Sequence, residues 1–167
     1  MDSIKSVAEL DTPSDLKENA RKKVAESVNG LVADAFALYI KTKNFHWHMS
    51  GKNFRDYHLL LDEQAAQILA TTDPLAERVR KLGYDTIRSV GHIAQLQTVK
   101  DNDEDFVPAQ DMLKELIVDN KKMAEKMRKT HKLCDDANDV ATASLLEEYI
   151  DNTERRTWFL FETTREV

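Results

Sequence analysis

Between Phe54 and Leu82 the chain carries two pairs of donor side chains, each four residues apart: His58 with Asp62, and Asp73 with Glu77. Phe54, Leu61, Ala65, Ile68, Leu75, Val79 and Leu82 form an apolar stripe through the same stretch, which predicts one long helix stopping at Gly83. Residues four apart share a helix face, so each pair projects together. The pair midpoints, at 60 and 75, lie 15 residues apart, or about 22 Å at ~1.5 Å per residue. No single ion touches both pairs of one straight helix. Two copies packed antiparallel about a two-fold axis near Gln67–Ile68 would set His58/Asp62 of one against Asp73/Glu77 of the other, twice over.

His46 fits that geometry. It precedes the turn Met49–Asn53 by about the count at which His58 follows it, so a helical hairpin brings the two imidazoles level. Three donors from one chain and two from its mate then converge. Imidazole nitrogen with carboxylate oxygen suits a borderline metal such as iron better than calcium or copper(I). Any one of these residues is an ordinary surface acid or packed histidine in most helical proteins. Five at successive offsets of 12, 4, 11 and 4 favour a shared metal site.

The rest of the chain supplies a helical frame. Its 167 residues are enough for one domain with a real core, and Gly (4) and Pro (3) are scarce. A net charge of −6 favours cations over phosphate backbones. The lone Cys134 excludes an internal disulfide and paired-thiolate metal sites. The first ten residues lack the basic lead and apolar run of a secretory signal, and no stretch is apolar enough to span a membrane, so a cytoplasmic protein is expected.

Residues 1–13 are expected to form a flexible, acidic tail, and 14–167 the folded domain. Ser14 is the expected cap of a first helix from Asp15 to Met49, striped by Val24, Val28, Leu31, Ala35, Leu38 and Phe45. Pro74 predicts a kink near Ala70–Asp73 in the second helix. The connection Gly83–Pro108 is long enough to cross the fold, with a short helix over Ser89–Leu96. Helix three is expected over Pro108–Cys134, striped by Met112, Leu113, Leu116, Met123, Met127 and Leu133. Helix four runs from the turn at Asp135–Asp139 to Thr164, with Leu145, Leu146, Tyr149, Phe159 and Leu160. The fold class is therefore all-α: a ferritin-like four-helix bundle with a short extra helix in the long crossover between helices two and three.

A bundle holding two irons in its own core uses Glu-x-x-His twice. The residues three before the five histidines are Lys43, Phe45, Arg55, Ser89 and Arg128, so that motif is absent.

Asn44-Phe45-His46-Trp47-His48-Met49-Ser50-Gly51, His58 with Asp62, and Asp73 with Ala76-Glu77-Arg78 together resemble the Dps family of bacterial mini-ferritins, along nearly the whole chain. The resemblance implies a hollow dodecamer that oxidises Fe²⁺, preferably with hydrogen peroxide, at sites shared by two subunits. The ferric product would be stored inside as mineral, which protects the cell from oxidative damage. It implies His46, His58 and Asp62 as ligands from one chain, and Asp73 and Glu77 from its partner. Trp47, beside a ligand, could take up a stray oxidising equivalent; an aromatic packed in the hairpin is the alternative. Trp158 has a weaker version of that role. His48 is read as a surface residue, and His92 and His131 as structural. The family's acidic three-fold passage would begin near Asp139. Ser144 stands where a second acid is common, leaving Glu147, Glu148 or Asp135 as substitutes. Members that coat DNA use Lys-rich tails, and this tail is acidic, so DNA binding is expected to be weak or absent. The competing reading is a DNA-compacting nucleoid protein with incidental iron oxidation; a further one is a metal-free helical interaction module.

Overall fold

The computed structural model describes residues 7–165, which hold six α-helices and no strand. They are α1 (Glu18–His48), α2 (Phe54–Ala70), α3 (Thr72–Lys81), α4 (Val90–Leu96), α5 (Ala109–Ala137) and α6 (Val140–Thr163). With α2 and α3 as one interrupted rod, this is a ferritin-like four-helix bundle, α4 being the short helix of the crossover. Ion pairs and hydrogen bonds fix the directions. Lys41 meets Asp119 and Ser27 meets Thr130, so α1 and α5 run antiparallel. His46 meets His58, and Arg21 near the start of α1 meets Leu82, so α1 also opposes the α2–α3 rod. The second and third bundle helices are therefore parallel, which is why a long crossover has to join them.

The core follows the stripes. Val24, Val28, Leu31, Ala35, Leu38 and Phe45 are buried, as are Leu61, Ala65, Ile68, Leu75, Val79 and Leu82. Met112, Met123 and Met127 fill the core of α5, as unbranched thioethers do. Phe54 and Phe159 depart from the expected stripes and are exposed.

Local chemistry moved three boundaries. Ser14 Oγ accepts from the Leu16 amide at 3.2 Å, a serine turn that competes with capping, and α1 starts only at Glu18. Helix three continues past Cys134 to Ala137, where Asn138 adopts φ 56° and closes it. The irregularity expected near Ala70–Asp73 is a one-residue interruption at Thr71. Pro74 has no N–H for the Ala70 carbonyl, while the Thr71 and Thr72 hydroxyls donate to Ile68 and Leu69 carbonyls at 2.8 and 2.7 Å. The rod is interrupted at Thr71, which keeps αR dihedrals (φ −81°, ψ −19°), and α3 resumes at Thr72.

The crossover is latched to α1 by three polar side chains. Asn29 donates to the Asp85 carbonyl and accepts from Thr86; Asp34 accepts from the Thr98 and Val99 amides; Asn44 donates to the Asn102 carbonyl. Asp34 also takes the Lys126 ammonium, which reaches in over Gly30, where an added Cβ would stand 3.2 Å from it. Within the expected tail, residues 1–6 lie outside the described residues. At the end of α3 the Arg80 guanidinium donates to the Leu10 carbonyl, and Thr12 Oγ1 donates to the Arg80 carbonyl. Among the described residues no helix is long and apolar enough to cross a membrane.

Candidate metal centre

The α1–α2 hairpin brings His46, His58 and Asp62 together. The two imidazoles stack with centroids 3.7 Å apart and planes 23° from parallel. His46 Nδ1 donates to the His58 carbonyl at 2.8 Å, and His58 Nδ1 to the His46 carbonyl at 2.9 Å. A carbonyl oxygen only accepts, so each Nδ1 carries the hydrogen, and in the neutral ring the lone pair is on Nε2. Tethering one ring nitrogen through a backbone carbonyl is how proteins orient a metal-binding histidine. Phe54 lies beside His58 at 5.0 Å between centroids, its ring tilted by 33°.

Asp62 Oδ1 stands 4.0 Å from His46 Nε2, one helical turn beyond His58. Lys43 donates to the same oxygen at 2.7 Å, and that hydrogen bond, with the ammonium charge, holds the Asp62 carboxyl below its ordinary value. Lys43 had no assigned part in the sequence reading. Its signal was available: it lies one turn before His46 on the same helix.

Asp73 and Glu77 stand on α3, both exposed, and Glu77 pairs with Lys81 at 3.0 Å. The chain does not bring this pair to the histidines. Among the described residues no three His, Cys, Asp or Glu side chains of one chain form a metal cage.

Trp47 is 59% exposed and not packed inside the hairpin; Lys43 Nζ lies 5.6 Å from its ring centre. His48 is exposed and donates to the Asn44 carbonyl. Both line a groove of about 1100 Å³ between α1, α4 and the loop Asp101–Phe106, with exposed Ile40, Val90 and Phe106 in its walls. His131 lies between Asp135 and Glu147, bridging α5 and α6. Trp158 is exposed near the end of α6. Burial, reinforced by the Asp139 carboxylate, pushes the Cys134 thiol up to about 12, so it offers no thiolate.

Known proteins share the sequence pattern and the fold of this chain. Residues 25–167 match the Ferritin-like domain family. The DNA protection during starvation protein 1 of Deinococcus radiodurans is 32% identical over 87% of this chain and 70% of its own length. DpsC from Streptomyces coelicolor superposes with a TM-score of 0.89 at 27% identity, over 93% of this chain and 91% of that one. Dps from Thermosynechococcus elongatus gives 0.86 at 26% identity, over 89% and 94%. Matched by family, by sequence and by fold over nearly its whole length, the chain belongs to the Dps family of ferritin-like proteins.

Proposed function

We propose that this protein is a ferroxidase and iron store whose oxidation sites are each built by two subunits. The observation that carries the reading is the unequal division of donors. His46, His58 and Asp62 lie together with each imidazole tethered through its Nδ1, while Asp73 and Glu77 sit exposed on a separate helix of the same chain. A second copy about a two-fold axis supplies the missing carboxylates.

Iron is the substrate. Two Fe²⁺ ions each give up one electron, and one hydrogen peroxide accepts both as its O–O bond breaks and, with two protons, leaves as two waters. Paired one-electron donors avoid releasing hydroxyl radical. The chain's own part is to hold the donors in place: carboxylates favour Fe³⁺ over Fe²⁺, and the tethered imidazoles keep their lone pairs directed. Trp47, exposed and next to His46 in the chain, would intercept a stray oxidising equivalent. Stored ferric mineral inside a cytoplasmic dodecamer completes the reading, with 14–167 as the single domain and 1–13 as its tail. Removing iron and peroxide protects DNA without touching it, and the net charge of −6 supports weak or absent DNA binding.

The test is stopped-flow oxidation of ferrous iron by peroxide, read as ferric absorbance. The double variant His58→Ala/Asp62→Ala is expected to fall to the rate in buffer while the shell remains intact by gel filtration. Wild-type kinetics in that variant would overturn the site; loss of assembly would make these residues structural.

A further inference from the structure

Asp73 and Glu77 stand just past the interruption at Thr71, on a helix that is tied to a second element besides α2. Arg78, the residue after Glu77, is held at two points on the first turn of α6. Its Nε donates to Thr142 Oγ1 at 2.9 Å and its Nη2 to Asp139 Oδ1 at 2.8 Å. Asp139 is only 3% exposed, and both of its oxygens are in use. Oδ1 also accepts the Thr142 amide at 3.1 Å, and Oδ2 the Thr142 hydroxyl at 2.5 Å. Its charge is paired with the guanidinium. A buried carboxylate already holding three hydrogen bonds and an ion pair is poorly placed to take a passing cation, although the family resemblance alone would put Asp139 in an iron passage.

We propose that Arg78 is a positioning residue. Anchored by Asp139 and Thr142, it locks α3 to the start of α6 and thereby aims Asp73 and Glu77 at the histidine half-site of a second copy. The inference rests on the shared-site reading above. Arg is suited to the task because its planar fork fixes an angle as well as a distance, which a lysine ammonium does not. The Thr142 hydroxyl completes the clamp by accepting from Arg78 while donating to Asp139.

The test uses the assembled full-length protein with Arg78→Gln, Asp139→Asn, the two together, and Arg78→Lys. Asparagine keeps the capping acceptor for the Thr142 amide but removes the charge. Binding of Co²⁺, a redox-inert probe, is read from its visible absorption, and ferrous oxidation is resolved into kcat and KM. Each single variant is expected to weaken Co²⁺ binding and lower kcat by about tenfold, as a misaimed ligand does, with KM little changed. The double variant is expected to be no worse than either single one, because both remove the same clamp. Arg78→Lys recovers part of the loss.

Wild-type Co²⁺ affinity and kcat in Arg78→Gln would overturn the clamp. So would Asp139→Asn raising KM alone, which is the behaviour of a passage acid. If Asp139→Asn does not assemble, Thr142→Val, which removes one arm and leaves both charges, decides by the same readouts. His58→Ala is run alongside. A Co²⁺ spectrum unchanged by His58→Ala overturns the shared site itself, and one lost there but retained in every clamp variant overturns only the clamp.

Discussion

The two halves of the proposed site are held in opposite ways. The histidine half is built inside the hairpin, each imidazole tied to the other's backbone and Asp62 set by Lys43. The carboxylate half stands on a ten-residue helix set off by the interruption at Thr71, and among the described residues Asp73 makes no side-chain hydrogen bond. One half is preorganised by its own chain. The other gains its geometry only from where α3 points. A shared site of this kind needs one rigid wall to fix donor angles, and a second wall whose aim is set independently.

Substitutions at the donors break this comparison most sharply. His58→Ala removes a stacked, tethered donor and is expected to cut the oxidation rate on the order of a hundredfold or more, against about tenfold for Glu77→Gln, which keeps an oxygen in place. Stopped-flow rates at fixed iron would show it; equal losses would mean that both halves are equally rigid. Next comes the support behind α1. Lys41 is buried between Glu115 and Asp119, at 2.6 and 2.7 Å. Lys41→Met strands a buried carboxylate and should cost about 3–5 kcal/mol in urea unfolding. A cost under about 1 kcal/mol would show that the pair does not anchor α1.

On the carboxylate side, Gly83 ends α3 at φ 85°, and a Cβ there would stand 2.9 Å from Asp11 Oδ1 and 3.1 Å from Arg21 Nη1. Gly83→Ala should cost about 1–3 kcal/mol and raise amide exchange at the end of α3 more than in α2. Uniform exchange across both would contradict independent anchoring. The smallest effect lies away from both halves. Cys134 is held as a thiol up to about 12. Its contribution to stability is therefore complete below the ordinary thiol value of 9.0 and declines as pH rises from there towards 12, because the unfolded chain ionises first. Cys134→Ala should flatten that slope, as followed by urea midpoints between neutral and alkaline pH.

Much of this was legible in the residues. Spacing alone joined His46, His58 and Asp62 and separated them from Asp73 and Glu77, because helical periodicity fixes which side chains share a face. The crossover, its short helix and the parallel second and third rods followed from loop length. Pro74 located the irregularity in the second helix. Its form was hidden, because two threonine hydroxyls also bond the carbonyls of Ile68 and Leu69 beside the Ala70 carbonyl that the proline leaves without a donor. The Asp34 and Asn29 latches were not legible either: a polar residue in a long helix reads as solvated until a loop is known to cross it. Asp139 read as an acid beside a helix start, and only Arg78, far off in sequence, reveals that it faces inward.

The central claim is that neither half works without a second copy. Co-refolding His58→Ala/Asp62→Ala chains with Asp73→Ala/Glu77→Ala chains tests it directly, since each variant alone is expected to be inactive. Random pairing makes roughly half of the dimers mixed, and each mixed dimer regains one intact site of two. The account predicts recovery of roughly one quarter of the wild-type oxidation rate; a mixture as inactive as its components would contradict it.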